Sequence, residues 1–73
     1  MTKLRAKPPR NYRVIHGLCR RMNRYHSVGS PCRWRGKRTF IAQPFFVGDD
    51  YRIYVYVGAR SEPVELQEIV PYV

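Results

Sequence analysis

Residues 50–58, with the sequence DYRIYVYVG, are the clearest strand candidate in the chain. Most of its residues are β-branched or aromatic, and such residues are enriched in β-strands. Because side chains alternate across a strand, one face carries the residues that we assign to the core: Tyr51, Ile53, Val55 and Val57. The opposite face carries Arg52, Tyr54 and Tyr56. This stretch therefore predicts a central strand whose outer face is aromatic and basic.

This outer face has two interpretations. Exposed tyrosines beside an arginine can stack on nucleic-acid bases or hold a partner chain. The same tyrosines can instead pack against side chains of a neighbouring strand and serve only the sheet. The sequence leaves both open.

A β-hairpin is predicted before the central strand. Its turn is placed at Gly36-Lys37, and its two strands are residues 32–35 and 38–42. Cys32 and Trp34 would share one face of the first strand, and the arginines Arg33 and Arg35 the other. Trp34 would either stack on an unpaired base or fill the core of a small barrel. Pro44 then interrupts, residues 45–47 begin another strand, and residues 48–50 form a tight turn.

The region before the hairpin has a weaker pattern. Residues 12–15 predict a short strand that Gly17 ends. Leu18, Met22 and Tyr25 follow at helical spacing. Residues 18–26 therefore predict either a short basic helix or an irregular loop. In the helical alternative, the arginines that lie away from the apolar stripe are Arg20, Arg21 and Arg24.

The first ten residues contain four Lys or Arg and the pair Pro8-Pro9. This composition predicts a flexible basic arm, residues 1–10, because prolines favour extended backbone and few residues are available for a core. Residues 11–73 are then predicted to form one small β-rich domain.

The end of the chain, residues 64–72 (VELQEIVPY), predicts a strand, a single helical turn and a closing strand. This ending resembles the last strands and the intervening helical turn of SH3-like barrels, including Tudor- and KOW-type modules. The resemblance covers about the last third of the chain. With the strands above, it implies a mainly β fold: a small five-stranded curved sheet or SH3-like barrel with a short helical or loop insertion. Members of that superfamily bind nucleic acids, peptides or other proteins, so the resemblance does not choose a ligand.

Charge is distributed unevenly along the chain. Residues 1–38 contain twelve Lys or Arg and no acid, whereas residues 39–73 contain two Arg and five acids, for a net charge of +9. Eleven of the fourteen basic residues are arginine, whose planar fork pairs with phosphate or guanine. This pattern indicates a polyanionic partner. Nucleic acid is the first interpretation, and an acidic protein or an anionic membrane surface are the alternatives.

Four residues of types that bind zinc lie within seventeen positions: His16, Cys19, His26 and Cys32. Their spacing differs from that of a standard finger, because the second pair is loose. Buried cysteines and ordinary histidines are the other interpretation. A disulfide would require an oxidising compartment, for which nothing argues. We therefore predict no cofactor and leave the metal question open.

Catalysis and membrane insertion have little support in the sequence. The five carboxylates all follow residue 48, and neither a G-x-S-x-G motif nor a glycine-rich phosphate loop is present. No apolar run approaches the roughly 18 residues of a membrane helix, and the basic start has no apolar segment behind it. We expect a soluble, cytoplasmic, non-enzymatic protein without a membrane partner.

The predicted function is that of a nucleic-acid-binding protein, an accessory or regulatory factor that binds DNA or RNA through an arginine-rich surface interleaved with aromatic residues. The first alternative is a protein-interaction module whose basic face docks on an acidic partner, and a ribonucleoprotein component is another. The predicted nucleic-acid contacts are Arg20, Arg21, Arg24, Arg33, Trp34, Arg35, Lys37, Arg38, Arg52, Tyr54 and Tyr56.

Overall fold

The structure, a computed structural model, describes residues 10–71. The predicted basic arm therefore lies outside the described residues except for Arg10, which precedes the first helix in a turn. Across the described residues the fold is mainly β, with one α-helix packed against two small antiparallel sheets. The mainly β class predicted from the sequence is confirmed.

The helix α1 extends over Tyr12–Tyr25. It begins where the Ile15 amide donates to the Asn11 carbonyl (3.0 Å) and ends where the His26 amide donates to the Met22 carbonyl (2.8 Å). Ile15, Cys19 and Met22 follow one another at helical spacing and pack against the core. This apolar periodicity explains why the region is helical.

The predicted strand at residues 12–15 is wrong, because these residues form the first turn of α1. Tertiary packing of Ile15 outweighs the local preference of tyrosine, valine and isoleucine for strands. Gly17, which was predicted to end that strand, lies inside the helix, although a glycine inside a helix costs about 1 kcal/mol relative to alanine. Of the two alternatives for residues 18–26, the helix is correct and the irregular loop is wrong. Two residues of its predicted apolar stripe are exposed, Leu18 at 38% and Tyr25 at 67%.

Six short strands follow α1 in the described part of the chain. They are β1 (Pro31–Trp34), β2 (Lys37–Phe40), β3 (Phe46–Val47), β4 (Ile53–Val55), β5 (Val64–Glu65) and β6 (Ile69–Pro71). One sheet has the strand order β2-β1-β6, and the other has the order β3-β4-β5. All pairings are antiparallel.

Strands β1 and β2 form the predicted hairpin, but its turn lies one residue earlier than predicted. Trp34 pairs with Lys37, so the turn residues are Arg35 and Gly36, with φ of 51° and 76°. Two successive positive φ values are typical of the type I′ turn that matches the twist of paired strands. The hairpin therefore places Arg35 at its tip.

The predicted central strand is shorter than expected. The tight turn at residues 48–50 is present, since the Tyr51 amide donates to the Gly48 carbonyl (2.9 Å). Tyr51 has a φ of 60° and lies outside β4, so its placement on the strand was wrong. The rest of the alternation is confirmed, because Ile53, Val55 and Val57 are all buried.

The two sheets meet at a single bridge between Ile41 and Val57, both almost fully buried. Hydrogen bonds on either side support it, from the Ala42 amide to the Tyr56 carbonyl (2.8 Å) and from the Gly58 amide to the Phe40 carbonyl (2.9 Å). The sheets do not close into a barrel, and six strands replace the five predicted. Prolines close to β3 and β5 help to keep these strands at two residues each, too short to complete a cylinder.

The helical turn predicted near the end of the chain is present as a 3-10 helix at Leu66–Glu68, one residue earlier than predicted. A capping box begins this turn, in which the Glu68 carboxylate accepts a hydrogen bond from the Glu65 amide (3.1 Å). The turn carries the chain from β5 in one sheet to β6 in the other.

A pair of hydrogen bonds fixes α1 on the sheets. The Asn23 Nδ2 donates to the Phe45 carbonyl (3.0 Å), and the Phe45 amide donates to the Asn23 Oδ1 (2.6 Å). The side-chain amide thus pairs with the backbone of Phe45 as a neighbouring strand would. The Phe45 ring is itself buried in the core, with Cys19, Cys32, Ile41, Ile53, Val55, Val57, Val64 and Ile69.

We predict that Asn23→Ala lowers the free energy of unfolding by about 2–3 kcal/mol, because it leaves both backbone groups of Phe45 without their partner. Urea unfolding followed by circular dichroism measures this change. Asn11→Ala is the control, since the Asn11 side chain makes no capping hydrogen bond, and its effect should stay within about 0.5 kcal/mol. Equal effects of the two substitutions would contradict the prediction.

Candidate nucleic-acid interface

Four arginines lie on the solvent side of α1. Arg13, Arg20, Arg21 and Arg24 are all exposed, and with about 3.6 residues per turn they lie opposite the side that packs on the core. We call these four residues the arginine face. Arg20, Arg21 and Arg24 were predicted as contacts. Arg13 was missed, because its segment was assigned to a strand.

Three arginines of the arginine face border a recess of about 360 Å³. The residues that line the recess are Gly17, Arg20, Arg21 and Arg24. A Cβ atom built on Gly17 would meet no atom within 4 Å. The space beside Gly17 is therefore open, and the other residues that line the recess are all arginines.

The acidic residue Glu65 lies on the core side of α1. Ile15, on the core side of the helix, borders an apolar groove of about 350 Å³ whose lining also includes Arg52 and Glu65. No Asp or Glu precedes Asp49 in the sequence. Glu65 is near Ile15, whereas the arginine face points the other way. Glu65 therefore does not neutralise the positive charge of the arginine face.

The hairpin presents a second basic cluster. Arg33 and Arg38 are register partners and share one face of the β2-β1-β6 sheet, where both are exposed. Phe40 and Val70 are also exposed on this face. Lys37 is the register partner of Trp34, and Arg35 stands at the tip. All five predicted contacts lie on the hairpin, but Arg33 and Arg38 are on one face of the sheet and Trp34 and Lys37 are on the other.

Trp34 is half-buried against the core and covered by arginines. The Arg60 Cζ lies 4.1 Å from the centroid of its ring, and the Arg35 Cζ lies 4.7 Å away. Both distances are within the range of cation–π attraction. The indole Nε1 is buried and has no hydrogen-bond partner among the described residues. Trp34 therefore holds guanidinium groups in place, and its ring is not an open platform for a base.

Arg60 was missed by the sequence reasoning. It follows β4 in a turn, and its contact with Trp34 joins residues 26 positions apart in the chain. No local pattern signals a contact of this kind. The loop between β4 and β5 thus adds a cation to the hairpin cluster.

The outer face of β4 is partly neutralised. The Arg52 Nη1 forms an ion pair with the Glu65 Oε1 (3.2 Å). The Tyr54 hydroxyl donates to the Asp50 carboxylate, which also accepts from the Arg52 amide (3.1 Å). A phosphate approaching Arg52 or Tyr54 would therefore meet two carboxylates.

The tyrosines of this face stack across the sheet. The Phe46 ring lies between Tyr54 and Tyr56, with centroids 5.9 Å apart in each pair and nearly parallel planes. The close approach of Tyr54 requires a glycine at position 48, since a Cβ atom there would lie 2.7 Å from the Tyr54 Cε2. The packing interpretation of the tyrosines thus has a visible structural basis.

These contacts change the acidity of the groups involved. The hydrogen bond from Tyr54 lowers the pKa of Asp50, and the bond to Asp50 raises the pKa of Tyr54. The hydrogen bond to Glu65 raises the pKa of Arg52. Arg52 therefore stays charged but has a local partner for its charge.

The four candidate zinc ligands do not form a site in the described residues. Within residues 10–71, no group of three or more His, Cys, Asp or Glu side chains is placed to hold a metal ion. Cys19 and Cys32 are free and buried, and burial raises the pKa of both thiols. His16 is exposed and His26 is half-buried. Both cysteines therefore serve as small apolar core residues.

In comparison with known proteins, no protein-family model, no curated protein and no solved structure matches this chain. Within residues 10–71, none of the helices has both the length and the apolar character needed to cross a membrane.

We predict that Tyr54→Phe raises the pKa of Asp50 towards the ordinary value of about 3.9, because the carboxylate loses its hydrogen-bond donor. A lowered pKa stabilises the fold above the unfolded-state pKa, and this contribution is lost as the pH falls through the folded-state pKa. The variant should therefore lose less stability than the wild type below about pH 4. An NMR titration of the Asp50 carboxyl carbon measures the shift. Tyr56→Phe is the control, and an equal pKa change in both variants would contradict the prediction.

We predict that Arg60→Ala exposes the ring of Trp34, the one tryptophan in the sequence. Tryptophan emission should shift to longer wavelength and acrylamide quenching should increase, because the guanidinium no longer covers the ring. Arg24→Ala, which removes an arginine from α1 instead, should change neither signal. Identical spectra for wild type and Arg60→Ala would refute the stacked arrangement.

Proposed function

We propose that this protein binds nucleic acid without catalysis, through the arginine face of α1 and the basic cluster of the hairpin. The observation that carries the proposal is the placement of four exposed arginines on the side of the helix that faces away from the core and from Glu65: Arg13, Arg20, Arg21 and Arg24. Self-repulsion among such charges is unfavourable unless a polyanion neutralises them.

The length of the arginine face suits contacts with several phosphates at once. At about 1.5 Å of rise per residue, Arg13 and Arg24 are separated by roughly 16 Å along the helix axis. Each phosphate that an arginine neutralises releases condensed counterions, which favours binding at low salt. Guanidinium groups also pair with phosphate oxygens in a bidentate manner, which fixes the orientation of the protein on the backbone.

The hairpin adds cations that are held in position. Arg35 and Arg60 stack on Trp34, so these two side chains lose less conformational freedom on binding than free arginines would. In this arrangement Trp34 is a positioning residue. The proposed interface excludes Arg52, Tyr54 and Tyr56, because Asp50 and Glu65 accompany them.

Three further expectations remain predictions. The likeness of the C-terminal third to SH3-like barrels, the accessory or regulatory role and the cytoplasmic location all rest on the sequence alone. DNA and RNA are both retained as partners, since phosphate contacts carry no information about base or sugar.

A second candidate function is docking on an acidic protein. The observation that favours it is the exposure of Phe40 and Val70 beside Arg33 and Arg38 on one face of the β2-β1-β6 sheet. Protein interfaces combine an apolar centre with a polar rim, and this face offers both. Nucleic-acid contacts would not require the two apolar side chains.

We predict that replacing Arg20, Arg21 and Arg24 with alanine weakens nucleic-acid binding and lowers the slope of log K against log salt by up to about one per lost phosphate contact. Fluorescence anisotropy with single- and double-stranded DNA and RNA, over a salt series, measures both quantities.

The control is Arg52→Ala, which removes one positive charge from outside the proposed interface and should leave the slope unchanged. A triple variant with the wild-type slope would remove α1 from the interface. A wild-type protein that binds none of the four ligands would refute the proposed function and favour the acidic protein partner.

A further inference from the structure

We infer that Gly17 marks the point where the phosphate backbone of a nucleic acid approaches α1 most closely, with the phosphate seated among Arg20, Arg21 and Arg24. This inference rests on the proposed function and deepens it. It assigns a specific contact to a residue that carries no charge and no side chain.

The fold gives no reason for a glycine at position 17. Glycine inside a helix destabilises it relative to alanine, because the backbone loses more conformational freedom. Such a glycine is usually explained by close packing or by a left-handed backbone. Neither applies here, since a Cβ atom at Gly17 would have no neighbour within 4 Å and Gly17 is absent from the residues of positive φ in the described chain.

The position of Gly17 relative to the arginines supplies the missing reason. It precedes Arg20, Arg21 and Arg24 by three, four and seven residues, so all three lie on its side of the helix. Together these four residues line the recess of about 360 Å³. A side chain at position 17 would occupy the centre of this recess.

The chemistry of the recess fits a phosphodiester. Its unesterified oxygens accept hydrogen bonds from guanidinium groups, and several arginines can share one phosphate. The backbone amides around Gly17 are used inside the helix, so glycine contributes room and not donors. Without a Cβ atom, the phosphate and its sugar can come within contact distance of the helix backbone, where the three arginines reach them.

An anionic lipid surface would present the same phosphate chemistry. Val14, Leu18 and Tyr25 are exposed on one flank of α1 and could enter a membrane interface. However, a membrane-bound helix buries its apolar flank and keeps its basic residues at the headgroups, an arrangement in which a recess between arginines has no role. The recess therefore favours a nucleic-acid backbone.

The test is Gly17→Leu, which fills the recess with a good helix former and leaves every charge in place. We expect thermal stability equal to or above that of the wild type, and at least a tenfold weaker affinity for a 20-base-pair duplex or a 20-nucleotide single strand. The slope of the salt dependence should stay close to that of the wild type. Gly17→Ala should also keep thermal stability at or above that of the wild type and weaken the affinity, but by less than Gly17→Leu. This variant keeps the test valid if the leucine variant does not fold.

Val14→Leu is the matched control, because it places a leucine on the exposed flank of the same helix and should not change the affinity. Wild-type affinity in Gly17→Leu, together with salt-dependent binding by the wild type, would overturn the inference and leave the proposed function standing. The absence of any nucleic-acid binding by the wild type would overturn both. Phosphatidylglycerol vesicles and inorganic phosphate serve as further probes, and loss of binding to these alone in Gly17→Leu would assign the recess to a lipid or a free anion and overturn the inference.

Discussion

A double hydrogen bond between the side chain of Asn23 and the backbone of Phe45 fixes α1 against the sheets and thereby the arrangement of the charged surface. It joins the helix to the residue directly before β3, a strand that offers little pairing of its own because it contains only two residues. The bond also determines how α1 is rotated about its axis. With Asn23 turned towards Phe45, Ile15, Cys19 and Met22 face the core, and the arginines face outward. The side-chain amide of Asn23 thus helps to set which side of α1 is exposed to solvent.

The paired acidic residues and the exposed helix arginines lie in different parts of the fold. The acids lie in the β4 and β5 region, where Asp50 accepts from Tyr54 and Glu65 pairs with Arg52. The cations of α1 lie on the far side of the helix from Glu65. Arg35 at the hairpin tip and Arg60 in the loop between β4 and β5 both stack on the ring of Trp34. Asp50 and Glu65 thus have partners within the fold, whereas Arg20, Arg21 and Arg24 are exposed to solvent.

Local patterns in the sequence predicted a good part of this architecture. The alternation of Ile53, Val55 and Val57 predicted their burial, the glycine at the hairpin tip predicted the turn, and VELQE predicted a helical turn between strands. These features depend on neighbours within a few residues. The two-sheet arrangement could not be predicted in this way, because it depends on the bridge between Ile41 and Val57, which are far apart in sequence.

The candidate site was predicted less completely, for a similar reason. The arginines of residues 20–24 were identified from composition, but Arg13 was missed because its neighbours favour a strand. Arg60 was missed because Trp34, the residue that it contacts, is distant in sequence. Trp34 itself was left between base stacking and core packing, and only the guanidinium groups over its ring distinguish the two. Patterns of spacing thus located the charges, whereas contacts between distant residues gave them their arrangement.

The open sheets have a consequence for how copies of this protein meet one another. Sheets that do not close retain edge strands, whose free amides and carbonyls can pair with a neighbouring molecule. In the described chain, β3 and β5 are edges of only two residues each, and the edge strand β2 carries Lys37 and Arg38. Short edges and like charges both oppose strand addition between identical chains. The basic residues that suit a polyanion thereby also protect the protein against its own aggregation.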